Sequence, residues 1–185
     1  MCKNLVNIHY FLVLLFLSLI NANGMTQEKS PIHSFPKDFI GNWKGSLNWY
    51  PAGKEMQTVN MQLNIQPEAE PSQYSWQLIY GDSTKDNRPY HLKPVDSASG
   101  HWVVDENNGI LLDGYWIGNR YIDIFSVMGN TITSIHWLEG NAMHIEMIST
   151  KTTAARESGK GTEEIPAVQS FPVRSYQKAV LYRVQ

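Results

Sequence analysis

Cysteine is almost absent from this chain of 185 residues, and the only one is Cys2. Cys2 falls inside an N-terminal segment that we expect to be removed, so the mature chain would have no disulfide, thiol nucleophile or thiolate metal site. An excess of positive charge is also missing, since the formal net charge is −2 and the basic residues are scattered. A surface for nucleic acid or an anionic membrane needs a basic patch, and we therefore expect neither partner.

A long hydrophobic run is missing too, because the most apolar segment, Phe11 to Ile20, is too short for a comfortable membrane span. Lys3 precedes it and the small residues Ala22 and Gly24 follow it, which is the pattern of a secretory signal peptide. We expect residues 1–24 to be a signal peptide that is cleaved after Gly24, with an uncleaved anchor as the alternative. The mature protein would be periplasmic or secreted and would have no membrane span.

Helical periodicity is the last absence, since no segment of helical length repeats its apolar residues every ~3.6 positions. Residues 25–36 are polar with two prolines, and they are predicted to be a flexible leader before a short helical turn. Beyond them, segments such as Val59 to Gln66 alternate apolar and polar residues, which is typical of half-buried antiparallel strands. Turn sequences recur about every ten residues. Residues 37–185 are therefore predicted to form an all-β domain, a single antiparallel up-and-down β-barrel of about 8–10 strands.

The turns allow the strands to be aligned, because residues that flank a two-residue hairpin turn pair directly. A turn at Gly129-Asn130 would place Asp123 opposite His136, and a turn at Gly118-Asn119 would place Gly114 on the other side of Asp123. Asp123 and His136 would then be a pair inside an apolar wall. We expect them to hold the polar end of a ligand, or else to be a structural pair in a barrel filled by its own side chains. The predicted ligand-binding interior also contains Trp116, Tyr121, Phe125, Met143 and Met147.

A different turn would produce a different face. A three-residue turn at Gly140 to Ala142 would bring His136, His144 and Glu146 to one side, and these residue types are metal ligands. A two-residue turn at Gly140-Asn141 keeps them apart. Because two-residue turns are the commoner kind, we predict no metal site.

The stretch Gly41-Asn-Trp43-Lys-Gly45 resembles the G-x-W signature of lipocalins and their calycin relatives, including the G-x-W-x-G form of nitrobindin-like barrels. In that family the tryptophan closes the barrel base and a basic residue of the last strand often packs across it. The resemblance implies that Gly41, Trp43, Gly45 and Arg183 close this barrel, with the Arg183 cation over the indole ring. The T-D-Y motif of classical lipocalins and paired cysteines are absent. The chain is most similar in plan to the exported lipocalin-like proteins of bacteria.

Three functions are compatible with these features. We favour a barrel that binds a small apolar or amphipathic molecule in its lumen. The second is an enzyme that uses Asp123 and His136 as a dyad, although nearby Ser134 lacks the motif of an activated nucleophile. The resemblance to nitrobindin raises the third, a haem-binding or metal-binding barrel with His136 or His144 as axial ligand. No cofactor is predicted, and residues 152–172 would be either a lid over the barrel mouth or a disordered insertion.

Overall fold

The computed structural model describes residues 32–184 and shows an all-β protein. Ten antiparallel strands form a closed barrel, and two further short strands form a separate hairpin. The predicted fold class is confirmed, including the short helical turn, which is a 3-10 turn at Lys37–Phe39. The strands are β1 (Gly41–Pro51), β2 (Gln57–Ile65), β3 (Tyr74–Tyr80), β4 (Asn87–Asp96), β5 (His101–Asp105), β6 (Leu111–Ile117), β7 (Arg120–Val127), β8 (Asn130–Glu139), β9 (Ala142–Lys151), β10 (Arg156–Ser158), β11 (Val168–Ser170) and β12 (Val173–Val184).

The barrel closes because β12 pairs with β1 as well as with β9. Closure leaves no unpaired strand edge, which is how an up-and-down barrel avoids pairing with other chains. Alternation along each strand decides which residues point inward. On β2, for example, Met61, Leu63 and Ile65 are buried, whereas the asparagine and glutamine between them are only half-buried.

One end of the barrel, which we name the closed end, is filled by aromatic side chains from the segment before β1. Phe39 is fully buried there, and the ring of Phe35 stacks on Tyr121 with 4.6 Å between ring centroids. Phe35 also stacks on Trp116 and meets the edge of Trp102. Phe35, near the C-terminal end of the predicted flexible leader, is therefore packed against the core.

The other end, which we name the open end, carries the hairpin of β10 and β11. The hairpin leaves the barrel after β9 and returns before β12, and the Lys151 amide donates to the Pro172 carbonyl at its base. The stretch 152–172, for which a lid or a disordered insertion was expected, thus contains two paired strands at the open end. Within residues 32–184, no helix has the length and apolar character needed to cross a membrane. The predicted signal peptide, residues 1–24, lies outside the described residues.

The hairpin between β7 and β8 corrects the predicted pairing of Asp123 with His136. Val127 pairs with Asn130, so the two turn residues are Met128 and Gly129, both with positive φ. This backbone is the favoured one for a two-residue hairpin, and it commonly places glycine second. The strands are shifted by two positions from the prediction, so that Asp123 pairs with Ser134, and Tyr121 pairs with His136. A shift of two preserves the face, and all four side chains remain inside the barrel.

The other two turns follow the prediction. Ile117 pairs with Arg120 around Gly118-Asn119, which leaves Gly114 opposite Asp123. Leu138 pairs with Met143 around a two-residue turn. His136 and His144 therefore lie on opposite faces of the sheet, and the alternative cluster of His136, His144 and Glu146 does not form.

Candidate functional site: a cavity in the open half of the barrel

The open half of the barrel contains a cavity of about 630 Å³. This volume is in the range of pockets that enclose small organic molecules, roughly 300–1,000 Å³. The wall is mostly aliphatic and aromatic, and polar side chains are concentrated at the floor and at the mouth. The apolar lining consists of Leu47, Trp49, Val59, Met61, Trp76, Leu78, Tyr80, Tyr90, Val104, Leu112, Phe125, Ile132, Ile145 and Met147.

Three polar residues form the floor, and we name Asp123, Ser134 and His136 the floor triad. Their exposures are 8%, 6% and 5%, so all three are removed from bulk water. β7 supplies the aspartate and β8 supplies the other two, at alternate positions that share one face. Ser134 Oγ lies 3.4 Å from His136 Nδ1, and Ser134 pairs directly with Asp123 across β7 and β8. The serine is thus the middle member of the triad.

Burial shifts both ionisable groups of the floor triad toward their neutral forms. It raises the pKa of Asp123 to about 7, although the hydrogen bond with Ser134 opposes part of this shift. Burial lowers the pKa of His136 to about 4, against a hydrogen bond with the Tyr121 backbone that favours the protonated ring. Removing charge from water disfavours the charged form of either group, which is why an acid and a base shift in opposite directions. Near neutral pH the floor therefore holds a neutral imidazole and a carboxyl group close to its titration midpoint.

The floor is separated from the closed end by Tyr121, whose ring is fully buried between Phe35 and the ring of His136. The Tyr121 hydroxyl has no hydrogen-bond partner among the described residues and lies against Gly114, where a Cβ atom would collide with it. Gly114 therefore provides the space that the Tyr121 side chain occupies.

Seven residues were predicted to line a ligand site, and the structure divides them between the two halves of the barrel. Asp123, His136, Phe125 and Met147 line the cavity. Tyr121, Met143 and Trp116 do not line the cavity: Tyr121 and Met143 are fully buried in the core, and Trp116 packs against it. The physical reason is the aromatic segment around Phe35, which occupies the space that the strands alone would leave empty.

The mouth carries a charged group that sequence reasoning missed. The Arg88 guanidinium donates two hydrogen bonds to the Asp86 carboxylate, at 2.8 and 3.0 Å, and lies over the ring of Tyr80 with 4.8 Å from Cζ to the ring centroid. Glu106 also lines the cavity, where it follows β5 and is next to Tyr90 of β4. The irregular connections on either side of β3 gave no register from the sequence, which is why Tyr80 and Arg88 could not be placed.

The closed end brings together the residues that the lipocalin resemblance singled out. Trp43 pairs with Arg183 across β1 and β12, and the guanidinium carbon lies 4.6 Å from the centre of the indole ring. The Arg183 side chain also donates to the Asp38 carbonyl at 2.8 Å. Gly45 allows β12 to approach, because a Cβ atom at this position would overlap the Val180 carbonyl oxygen. Gly41, with φ of 151°, lies beneath the Arg183 side chain.

The order of groups in the floor triad bears on catalysis. A nucleophilic triad needs the histidine between the serine and the acid, so that the imidazole takes the serine proton. Here Ser134 stands between Asp123 and His136, which does not match that arrangement.

Residues 32–184 contain no group of three or more histidine, cysteine, aspartate or glutamate side chains that could hold a metal ion. His144 is stacked on Trp137 on the outer face, with 5.1 Å between ring centroids.

Fold and cavity together define a closed antiparallel up-and-down β-barrel with a half-filled lumen, and two solved structures share the fold. One is a protein of unknown function from the DUF3598 family of Nostoc punctiforme, with a TM-score of 0.58 and 11% identity over 80% of this chain. This chain spans 48% of the length of that protein. The other is the S-type phycobiliprotein lyase of Guillardia theta, with a TM-score of 0.53 and 8% identity over 80% of this chain and 92% of that one. No family model and no curated protein matches the sequence.

Proposed function

We propose that this protein is an exported lipocalin-like barrel that binds one small, largely apolar molecule in the open half of its lumen. The observation that carries the proposal is the cavity of about 630 Å³, which has an apolar wall and a polar floor. A barrel built only for stability would fill this space, because empty apolar volume costs stability. The closed half of this barrel is filled in that way, and the open half is not.

The polar groups are placed where a ligand needs them. Most of the wall offers only apolar contact, and the floor triad offers hydrogen bonds to one end of a molecule that enters from the mouth. Met61 and Met147 add flexible, polarisable side chains that adapt to an irregular shape. This combination of an apolar lining with a few convergent polar groups is the usual composition of a small-molecule site.

The comparisons support a binding role only through the fold. A protein that is named a phycobiliprotein lyase uses the same barrel over 92% of its length, so the architecture serves proteins with a chemical task. At 8% identity, the substrate of that protein is not transferable to this chain. The G-x-W-x-G resemblance at Gly41, Trp43 and Gly45 gives independent support for a lipocalin-like barrel.

Uptake of a neutral fluorescent probe tests the proposal directly. N-phenyl-1-naphthylamine is uncharged and brightens in apolar surroundings, and we expect it to bind with a stoichiometry of one. Met147→Trp would fill the cavity from β9 and should abolish the fluorescence increase. Ile148→Trp, at the next position on the outer face, is the matched control and should leave probe binding unchanged.

Two results would contradict a lumenal site. The wild-type protein could fail to bind the probe, or the Met147 and Ile148 variants could bind it equally well. Native mass spectrometry of protein purified from its own host gives a second readout, since a retained small molecule adds a defined mass. A mass increment of a porphyrin would instead support the haem-binding alternative.

Export is a separate part of the proposal and has its own test. Cleavage after Gly24 predicts a mature N-terminus at Met25, which N-terminal sequencing of the protein from its host would detect. We expect this shortened form outside the cytoplasm, in the periplasm or the medium. Recovery of the intact chain from the cytoplasm would contradict export and would leave the lumenal binding proposal untouched.

A further inference from the structure

We infer that the occupant of the cavity is an apolar amine, bound as its cation, with the ammonium group beside Asp123 and the apolar body along the wall. The inference rests on the proposed function and adds the charge of the ligand to it. Three independent features lead to it: the balance of charges in the lining, the surroundings of Asp123, and the aromatic faces around the lumen.

The lining contains more negative than positive groups. It includes the carboxylates of Asp86, Glu106 and Asp123, against the single guanidinium of Arg88. Arg88 is already engaged with Asp86 through two hydrogen bonds, so this pair contributes little net charge. Glu106 and Asp123 remain without a compensating cation in the lining. The potential inside the lumen therefore favours the entry of a positive molecule.

Asp123 is the group that a cation would meet at the floor. No ion pair joins Asp123 to a basic side chain anywhere in residues 32–184, and its neighbour Ser134 is uncharged. A carboxylate removed from water without a counter-charge is costly, and proteins usually give such a group a partner. A protonated amine supplies that partner, and the surrounding apolar wall strengthens the attraction.

Aromatic faces line the path from the mouth to the floor. Trp49 and Tyr80 are near the mouth, Tyr90 pairs with Trp76 across β3 and β4, and Trp76 lies at the floor with its ring centroid 5.3 Å from that of His136. Phe125 is the next inward-facing residue after Asp123 on β7. The negative face of an aromatic ring attracts a cation, and tryptophan does so most strongly. Aromatic and carboxylate groups together are the usual recognition set for organic ammonium ions.

The same features exclude an apolar acid as the preferred ligand. The carboxylate of a fatty acid at the floor would lie beside Asp123, with no free lysine or arginine in the lining to balance it. At the mouth it would compete with Asp86 for Arg88 and would face Glu106. Like charges at close distance in a poorly solvated site are strongly unfavourable.

A matched series of ligands tests the inference. Decylamine, decanol and decanoate share one alkyl chain and differ only in the head group, and each is titrated, below its micelle concentration, against the bound neutral probe. We expect decylamine to displace the probe at a concentration at least tenfold lower than decanol, and decanoate to be the weakest. Equal displacement by the amine and the alcohol, or a preference for decanoate, would overturn the inference.

A pair of variants locates the effect. Asp123→Asn should remove the advantage of decylamine over decanol while decanol and the probe still bind, which also shows that the variant is folded. Asp113→Asn removes a carboxylate from the exposed outer face of β6 and should keep the advantage. If Asp123→Asn binds decylamine as tightly as the wild-type protein does, the ammonium group is not at Asp123.

The pH dependence of binding gives a further readout. Asp123 faces His136 on β8, Tyr121 on its own strand and Tyr80 on β3, and only the aspartate gains charge between pH 6 and 8. Affinity for decylamine should rise over this range, because the amine stays protonated up to about pH 10, and affinity for decanol should stay constant. A flat profile for decylamine would overturn the inference. Loss of binding for every ligand and for the probe would refute the proposed function as well, which separates the two failures.

Discussion

The guanidinium of Arg183 covers the indole ring of Trp43 and donates a hydrogen bond to the Asp38 carbonyl, so one side chain joins the last strand to the first strand and to the 3-10 turn. The indole Nε1 of Trp43 in turn donates to the Phe39 carbonyl at 2.8 Å. The closed end of the barrel is thus held by polar contacts that surround a buried aromatic group.

We expect Arg183→Ala to lower the free energy of unfolding by about 1–2 kcal/mol. The loss combines a cation–π contact with a charge-assisted hydrogen bond, both discounted because Arg183 is exposed. Arg183→Lys should restore only part of it, because an ammonium group lacks the planar stacking surface. Urea unfolding measures the difference, and Lys178→Ala, an exposed position on the same strand, is the control. Equal unfolding free energies for the Arg183 and Lys178 variants would show that the contact is not stabilising.

Because Phe35 packs against the core, we expect the segment before β1 to contribute to the stability of the fold. Phe35→Ala should destabilise the barrel by about 2–4 kcal/mol, since it removes a ring stacked between Tyr121 and Trp116. Ile32→Ala, at a side chain that is 81% exposed, should change stability by less than about 0.5 kcal/mol. Both effects are measured by urea unfolding. If a chain beginning at residue 37 were as stable as one beginning at residue 25, the segment would not contribute to the core.

Removing the hydroxyl group should have opposite effects on stability at Tyr121 and at Tyr176, because the two hydroxyls lie in different environments. Tyr121→Phe deletes a buried hydroxyl that has no partner among the described residues, and we expect it to be neutral or to stabilise the fold by about 1 kcal/mol. Tyr176→Phe deletes a hydroxyl that donates to Glu146 at 2.7 Å, and it should cost about 0.5–1.5 kcal/mol. Thermal unfolding of the two variants compares the signs. A loss of more than about 1 kcal/mol in Tyr121→Phe would mean that this hydroxyl does have a partner.

The alternation of apolar and polar residues and the spacing of the turns were sufficient to predict the fold and the face of the sheet on which each residue lies. Asp123 was predicted to face the interior, and it does so, because a register error of two residues leaves the face unchanged. The cross-strand partner of Asp123 was not predicted correctly. Gly129-Asn130 and Met128-Gly129 are both plausible hairpin turns, and the choice between these turns shifts the register of β7 and β8. The glycine at the second position of Met128-Gly129 was the signal that favoured the correct one.

The boundary between the filled and the empty half of the lumen could not be predicted from strand patterns. It depends on where Phe35 packs, and Phe35 reaches Trp102 and Trp116 across long separations in the sequence. Without that contact, Trp116 and Phe125 look equivalent, since both are inward-facing aromatic residues on neighbouring strands. Only the folded chain shows that Trp116 packs against Phe35 and that Phe125 lines the cavity.

The floor triad predicts two opposing pH dependences of stability. The pKa of Asp123 is raised from 3.8 to about 7, so the folded state holds this proton more tightly than the unfolded state does. The corresponding stabilisation is complete below about pH 4 and is lost as pH rises through 7. The pKa of His136 is lowered from 6.5 to about 4, so the unfolded state takes up its proton first. Its destabilising effect therefore grows as pH falls below 6.5, and the two slopes nearly cancel in the wild-type protein.

Single variants should separate these slopes. At about 1.4 kcal/mol per pH unit, the stability of wild type relative to Asp123→Asn should fall by about 2–3 kcal/mol between pH 5 and 7. The stability of wild type relative to His136→Gln should rise by about 2 kcal/mol between pH 5 and 6.5. Urea unfolding at intervals of half a pH unit measures both differences. The double variant lacks both contributions and should run parallel to wild type below pH 6.5. Two single-variant differences with the same sign would show that Asp123 and His136 do not have the opposite shifts that their burial implies.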